Sequence, residues 1–245
     1  MKFKRHIPNF LTTLNLVSGT LSIIMILHGN LVIASLFIFL AALFDFLDGS
    51  VARILKAYSE FGKQLDSLAD VVSFGVAPGI MVYQLLSVAC TGSCNILERL
   101  HITPYVALLI PVCSALRLAK FNIDLRQEVN FIGLPTPANG LFFASIPLIL
   151  ILQRNFYSVI PVDFMIPFLS NSRVLAILVV FFSYLMISDL RIFSMKVKTL
   201  TWKGNELRFS LLIGSFILLS LFSLGAIPMI ILMYILMSVL FQRSF

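Results

Sequence analysis

Long apolar runs alternate along the chain with short stretches that hold nearly all of its charge. Eight runs can be drawn, at 10–27, 31–55, 61–89, 102–121, 135–152, 174–192, 209–224 and 226–241. A spanning helix takes about 20 apolar residues, with roughly 17–25 the usual range. The first, fourth, fifth and sixth runs fit that length. The second and third exceed it, so their polar ends are expected to tilt or to project into water. The last two are short and share a turn at 225–228. The pattern predicts an all-α polytopic membrane helix bundle of about eight transmembrane helices, six forming a core and two a C-terminal pair. Six full spans with a partly inserted C-terminal hairpin is the other reading of the same pattern.

The charge between the runs orients the bundle. With the N-terminus placed in the cytoplasm, 15 of the 18 Lys and Arg residues fall inside, and Arg99, Arg154 and Arg173 fall outside. Cytoplasmic loops carry such an excess of Lys and Arg, so both termini and the polar ends of the second and third runs are expected on the inner face. The net charge of +7 is then mainly topogenic, with attraction to anionic membrane lipids secondary.

Composition agrees with the pattern. Of 245 residues, 59% are hydrophobic and 12% charged, and the mean hydropathy is +1.00, whereas a soluble domain carries about 25% charged residues. Basic residues spread over short loops argue against nucleic acid as a partner. Three cysteines make no disulfide framework. Cys90 and Cys94 share one short loop and read as unpaired thiols, a bridge being the alternative, and Cys113 reads as packing. His6, His28 and His101 read as interfacial polar residues. No small-residue cleavage site of a signal peptide follows the first run.

Chemistry concentrates in one stretch, residues 45–70, read DFLDGSVARILKAYSEFGKQLDSLAD. Four aspartates lie here, within or beside two apolar runs, in a chain that carries only 11 acidic residues. An aspartate at the centre of a membrane helix costs about 2.5–3.5 kcal/mol on the milder scales, and such residues mark function by default. Asp45 and Asp48 stand at i and i+3 on one helix face, with Ala52 continuing it. Gly62, Asp66 and Asp70 form a stripe on the next helix. Gly49 and Gly62 remove side chains where helices or a ligand approach closely. Two facing helices would present four carboxylates around a common point, and their repulsion requires cations. The donors are all oxygen, without His or Cys nearby, which favours Mg²⁺ or Mn²⁺ over Zn²⁺.

The spacing D-x2-D-G-x2-A-R-x8-G-x3-D-x3-D is met without a gap by Asp45, Asp48, Gly49, Ala52, Arg53, Gly62, Asp66 and Asp70. It resembles the signature of the CDP-alcohol phosphatidyltransferases, integral membrane enzymes of phospholipid synthesis. The runs Asp66 to Gly75, Ser114 to Asn122 and Phe131 to Ala138 resemble the phosphatidylserine-forming branch of that family. The stretch Ile7 to Thr12, with Asn15 and Gly19, resembles the family's first helix. The resemblance covers about the first 145 residues. It implies transfer of a phosphatidyl group from CDP-diacylglycerol to the hydroxyl of L-serine, with release of CMP. It further implies two divalent cations (Mg²⁺ or Mn²⁺), an inner-membrane homodimer, and one membrane domain over 1–245, whose catalytic core is about 1–192 and whose C-terminal hairpin is about 209–241. Asp45, Asp48 and Asp66 would be metal ligands, and Asp70 both a ligand and the base. Gly49, Arg53, Ser59, Asn9 and Thr12 would contact CDP-diacylglycerol.

Outside that stretch the residues speak less loudly. Arg53 reads alternatively as a snorkelling cation. Arg117 and Lys120, at i and i+3, are the candidate acceptor pocket, with Asn122 nearby; a carboxylate or a phosphate would suit them equally, and so would the role of an inner-face anchor. Pro135 and Pro137 favour a helix start with free backbone N–H groups that suit an anion. Pro78 is expected to kink the third helix, where Ser73 and Gly75 give a small polar stripe above the carboxylates and Gly79 reads as packing. Asp189 reads as a local charge partner of Arg191. The 155–170 loop and the basic 190–208 stretch with Trp202 read as interfacial. Two alternatives stand beside the serine reading: glycerol 3-phosphate or inositol phosphate as acceptor and, outside the class, an ion-coupled transporter.

Overall fold

The computed structural model describes residues 2–90, 102–123, 131–153, 158–193 and 205–241. Cys94, His101, Tyr157 and Trp202 lie outside the described residues. The first two helices, α1 (Lys2–Leu27) and α2 (Leu31–Leu55), form an antiparallel hairpin. Its turn is closed by Gly29 at φ +77°, whose N–H donates to the Ile26 carbonyl at 2.9 Å while the Asn30 N–H reaches Met25 at 2.9 Å. A glycine just past a helix end takes this left-handed conformation without Cβ strain. At the turn end of the hairpin Ser22 Oγ donates to the Ala34 carbonyl at 2.9 Å. At the far end Thr12 meets Asp48.

A third rod runs from Glu60 to Ala89, and half of its most apolar window is buried inside the protein. It begins as α3 (Glu60–Asp70), passes through a π-helical segment Val71–Val76, and continues as α4 (Ala77–Ala89). Ser59, in extended conformation, caps it by accepting the Gly62 N–H at 3.0 Å. The irregularity expected at Pro78 takes the form of this widened turn just before it. Proline has no N–H and its ring crowds the carbonyl four residues back, here that of Phe74. The Ala77 N–H bonds Val72 instead, five residues back.

The third rod is central because small residues let three neighbours approach it. Ser73 Oγ donates to the Asn15 carbonyl of α1 at 3.1 Å. Gly75 and Gly79 face Ser114 and Pro111 of α5 (Leu109–Ile123), which follows a 3-10 turn at Thr103–Leu108. Gly140 of α6 (Thr136–Pro147) lies against Phe74. Close approach at Gly, Ala and Ser is the main source of helix association where lipid removes the hydrophobic drive. One core cluster, Ile26, Ile38, Phe74, Ala77 and Met81, joins α1, α2 and the third rod. The larger cluster is centred on Phe142, Phe143 and Phe182, with the Phe142 and Phe182 rings stacked at 4.1 Å.

Before α6 the two-residue strand β1 (Phe131–Ile132) pairs antiparallel with β2 (Arg191–Ile192). Gly133, at φ +77°, donates to Leu190 O at 2.9 Å. The helices α7 (Ile166–Leu169) and α8 (Ser172–Ile187) meet at an 81° bend. Asn171 caps α8 there, its side chain accepting from the N–H groups of Arg173 and Val174. The last helices, α9 (Glu206–Phe222) and α10 (Ala226–Leu240), turn back on each other through Ser223–Gly225. Met233 packs where a side chain at Gly214 would lie. This hairpin docks on the core through Tyr234, whose hydroxyl donates to Phe193 O at 2.9 Å, and through the Gly225 N–H on Gln153 Oε1 at 3.1 Å.

All eight apolar runs are helical among the described residues, yet eight full crossings is more than their lengths support. Among the described residues, five helical stretches, counting Glu206–Leu240 as one, are long and apolar enough to cross a membrane, or six if the bent Asp163–Leu169 and Ser172–Ile187 pair is one span. Thr136–Leu152 falls in the shorter class, and α9 and α10 hold 17 and 15 residues. At about 1.5 Å per residue, helices of that size fall short of a hydrocarbon core about 30 Å thick.

The packing at Gly140 is directly testable. A Cβ there would stand 3.0 Å from both Cα and Cβ of Phe74, and overpacking of this kind costs about 1–3 kcal/mol. Gly140→Leu is expected to lower the unfolding midpoint of the detergent-solubilised protein; an unchanged midpoint would contradict the close approach.

Candidate active site

The carboxylates converge where the N-terminal half of α1, the C-terminal half of α2 and the start of the third rod meet. Asp45 and Asp48 are one turn apart on α2, and Asp66 faces them from α3. One carboxylate oxygen from each lies within 4.8 Å of the others. Asp70, one turn further into the rod, is 7% exposed and close enough to Asp45, Asp66 and Asp48 for repulsion among all four. The helical spacing read from the sequence therefore produces three converging carboxylates and a fourth behind them.

The first helix pins this group. Thr12 Oγ1 lies 2.5 Å from Asp48 Oδ2 and 3.1 Å from Pro8 O, its single proton shared between them. Asn15 Nδ2 donates to Asp70 Oδ1 at 3.3 Å, and the carbonyl of Asn15 is held by Ser73. Asn9 Oδ1 fills the space a side chain would need at Gly62. Asn9, Thr12 and Asn15 recur every three residues as one polar stripe along α1. That stripe was the available signal for the contact between Asn15 and Asp70, a partnership that spacing within residues 45–70 could not reveal.

A cavity of about 670 Å³ opens beside the cluster, its walls including Asn9, Thr12, Asp48, Gly49, Ser59 and Lys63. Four of the five residues expected to contact CDP-diacylglycerol therefore line one space. Arg53 does not: it is exposed, and its guanidinium donates to Ser50 Oγ on its own helix at 3.2 Å. Nothing stands within 4 Å of the position a Cβ would take at Gly49. The absent side chain leaves room in the cavity wall and relieves no contact between helices.

These residues fit a divalent cation. Three carboxylates from two helices offer oxygens toward one point, and buried Asp66 Oδ1 has no hydrogen-bond partner among the described residues. A purely oxygen donor set suits a hard cation.

On the other side of Asp70, α5 and α6 supply a cation. Arg117 is 7% exposed; its Nη1 donates to Thr136 Oγ1 at 3.4 Å and its guanidinium lies 5.9 Å from the Phe121 ring centroid. Asp70 and Tyr234 are its electrostatic neighbours. Arg117 and Lys120, expected side by side at the acceptor pocket, take different surroundings. Lys120 Nζ sits 2.8 Å from Asp189 Oδ1 at the surface, so Asp189 is a partner of Lys120 where Arg191 was expected. Asn122 Nδ2 donates to Ser67 Oγ at 2.9 Å, and its carbonyl accepts Lys63 Nζ at 3.3 Å, joining the end of α5 to α3.

Acidic side chains from two membrane rods, a cavity at their end and a buried guanidinium near the fourth carboxylate form the candidate site of a membrane-embedded protein. The family model for CDP-alcohol phosphatidyltransferase matches residues 5–169, and the chain belongs to that family. Over 140 residues it is 39% identical to the CDP-diacylglycerol–serine O-phosphatidyltransferase of Bacillus subtilis (strain 168), covering 56% of this chain and 72% of that protein. The archaetidylserine synthase of Methanothermobacter thermautotrophicus is 40% identical over 141 residues, 57% of this chain and 56% of its own. A CDP-diacylglycerol–serine O-phosphatidyltransferase of Methanocaldococcus jannaschii is 38% identical over 135 residues, 55% of this chain and 57% of its own. The matched segment thus spans little more than half the length of the last two.

The pair of Lys120 and Asp189, 41% and 82% exposed, is expected to couple by no more than about 1 kcal/mol, as exposed ion pairs do. A double-mutant cycle with Lys120→Met and Asp189→Asn, read by thermal unfolding in detergent, checks this. A coupling above about 2 kcal/mol would contradict a solvent-exposed pair.

Proposed function

We propose that this protein transfers the phosphatidyl group of CDP-diacylglycerol to the hydroxyl of L-serine, giving phosphatidylserine and CMP. The observation that carries the reading is the arrangement itself: carboxylates with oxygens within 4.8 Å of one another beside a cavity, and a buried Arg117 on the far side of Asp70. Membership of the family and the names of the relatives at 38–40% identity support it.

In this reading the CDP group occupies the cavity, where Asn9, Thr12, Gly49 and Ser59 form its walls. Arg53, exposed at the same end, meets the cytidine side by swinging off Ser50. Asp45, Asp48, Asp66 and Asp70 would hold two divalent cations, Mg²⁺ or Mn²⁺, which would offset the diphosphate charge and make its phosphorus more electrophilic. Thr12 and Asn15 fix the orientation of Asp48 and Asp70. Asp70, held at one oxygen by Asn15, takes the proton of the acceptor hydroxyl with the other. The hydroxyl oxygen bonds to the phosphorus bearing the diacylglycerol, and the bond from that phosphorus to the bridging oxygen breaks, its electron pair leaving with CMP. Arg117 orients the acceptor through its anionic group. Lys120 and Asn122 tie down the rim of that side.

The same reading places the chain in the cell's inner membrane, with both termini and the site on the cytoplasmic side. Arg53, Lys56 and Lys63 at the carboxylate end support this orientation. The catalytic core is about 1–192, with the hairpin at about 209–241 docked on it and the chain a homodimer. The competing acceptors, glycerol 3-phosphate and inositol phosphate, differ in charge and shape and are separated by assay. Family membership leaves the ion-transporter reading without support.

Purified protein with CDP-diacylglycerol and L-serine is expected to release CMP with Mg²⁺ or Mn²⁺ and to stop when the metal is chelated. Asp70→Asn is expected to lower turnover by at least about 100-fold, the scale of a lost general base. Full turnover by that variant would remove the base assignment, and CMP release with glycerol 3-phosphate in place of serine would replace the acceptor.

A further inference from the structure

The acceptor side of the site holds hydrogen-bonding capacity that no described residue uses. Asn139 is fully buried, at 0% exposure, and neither its amide nitrogen nor its amide oxygen has a partner among the described residues. The Nε of Arg117 is in the same condition. A buried polar group left unpaired costs about 1–3 kcal/mol, and folded proteins pair nearly all of them. Three such atoms are therefore a request for a ligand.

Their placement says which ligand. Thr136 and Asn139 are i and i+3 in the first turn of α6 and share a face. Thr136 Oγ1 accepts from Arg117 Nη1, which sets Asn139 one turn beyond the guanidinium on the same stripe. The backbone N–H of Asn139 is already bonded to Pro135 O at 3.1 Å, so the amide side chain is what remains to recognise anything. Arg117 in turn interacts electrostatically with Asp70, which puts these atoms on the side of the fourth carboxylate.

The donors and acceptors are mixed, and this discriminates between acceptor classes. Arg117 Nε and Asn139 Nδ2 only donate, while Asn139 Oδ1 only accepts. A phosphate presents acceptors alone and leaves Oδ1 with at best a neutral hydroxyl. An α-amino acid presents a carboxylate to the two donors and an ammonium to the oxygen. Both bonds are then charge-assisted, roughly twice as strong as neutral ones. We propose that Asn139 selects a zwitterionic α-amino acid as the acceptor, its amide bridging the carboxylate and the ammonium while the acceptor's hydroxyl points toward Asp70. This rests on the transfer reaction proposed above and adds to it the residue that decides the acceptor class.

The test uses full-length protein in detergent with CDP-diacylglycerol and Mn²⁺, reading CMP release. The acceptors are L-serine, 3-hydroxypropionate (no ammonium), ethanolamine (no carboxylate) and glycerol 3-phosphate. Asn139→Leu is expected to raise KM for serine roughly tenfold or more, to leave KM for CDP-diacylglycerol within about twofold, and to lose the preference for serine over 3-hydroxypropionate. Asn139→Asp, which keeps an oxygen and removes the donor, is expected to shift preference from serine toward ethanolamine; it carries the test should the leucine variant fail to fold. Unchanged serine KM and unchanged preference in the variants would overturn the inference, as would both KM values rising together. Wild-type protein that uses serine while the variants behave normally sinks this inference alone. Wild-type protein that refuses serine and takes glycerol 3-phosphate sinks the proposed reaction along with it.

Discussion

Four like charges gathered at the end of two membrane rods repel one another, and the rest of the structure answers that repulsion. At an effective dielectric constant near 20, each close pair of carboxylates costs roughly 3–4 kcal/mol. Three of them converge with oxygens inside 4.8 Å and the fourth stands behind. Hydrogen bonds from Thr12 and Asn15 offset part of this, and the guanidinium of Arg117 lies near the deepest member. Divalent cations bound there would offset what remains, and in the proposed reaction they would also grip the diphosphate.

The packing follows from the need to bring these elements together. The third rod is approached closely by α1, α5 and α6 at Ser73, Gly75, Gly79 and Gly140, where side chains are small or absent. The π-helical turn at Val71–Val76 lies directly after Asp70 and before Pro78. It lies between the carboxylates and the apolar half of the rod, and single π turns of this kind are frequent at functional sites. Behind them the phenylalanine cluster and the docked C-terminal hairpin hold α6 in place, and α6 carries Thr136 and Asn139 to Arg117.

Much of this was legible in the sequence, for reasons of period and cost. Apolar runs mark helices in lipid because backbone groups have no other way to be satisfied there. Aspartates at i, i+3 and i, i+4 inside such runs share faces by geometry alone, and Asp45, Asp48 and Asp66 converge accordingly. The failures have one cause. The partner of a long side chain depends on elements distant in sequence, so helical phase did not foretell that Lys120 would reach Asp189, 69 residues away. The bend of 81° at the start of α8 was hidden for a related reason. Hydropathy reports how apolar a segment is and not where its helix breaks. Asn139 was passed over because a single amide in an apolar run has no period to betray it.

The central claim is that the carboxylates act as one cage, and locating the metal tests it most directly. Crystals of the protein grown with Mn²⁺ and CDP-diacylglycerol, measured at the manganese absorption edge, would give an anomalous peak for every bound ion. Peaks are expected within about 2.5 Å of oxygens from Asp45, Asp48 and Asp66, at the mouth of the cavity lined by Asn9, Thr12 and Gly49. Manganese found elsewhere in a preparation that turns over, with those three side chains free of metal, would contradict it.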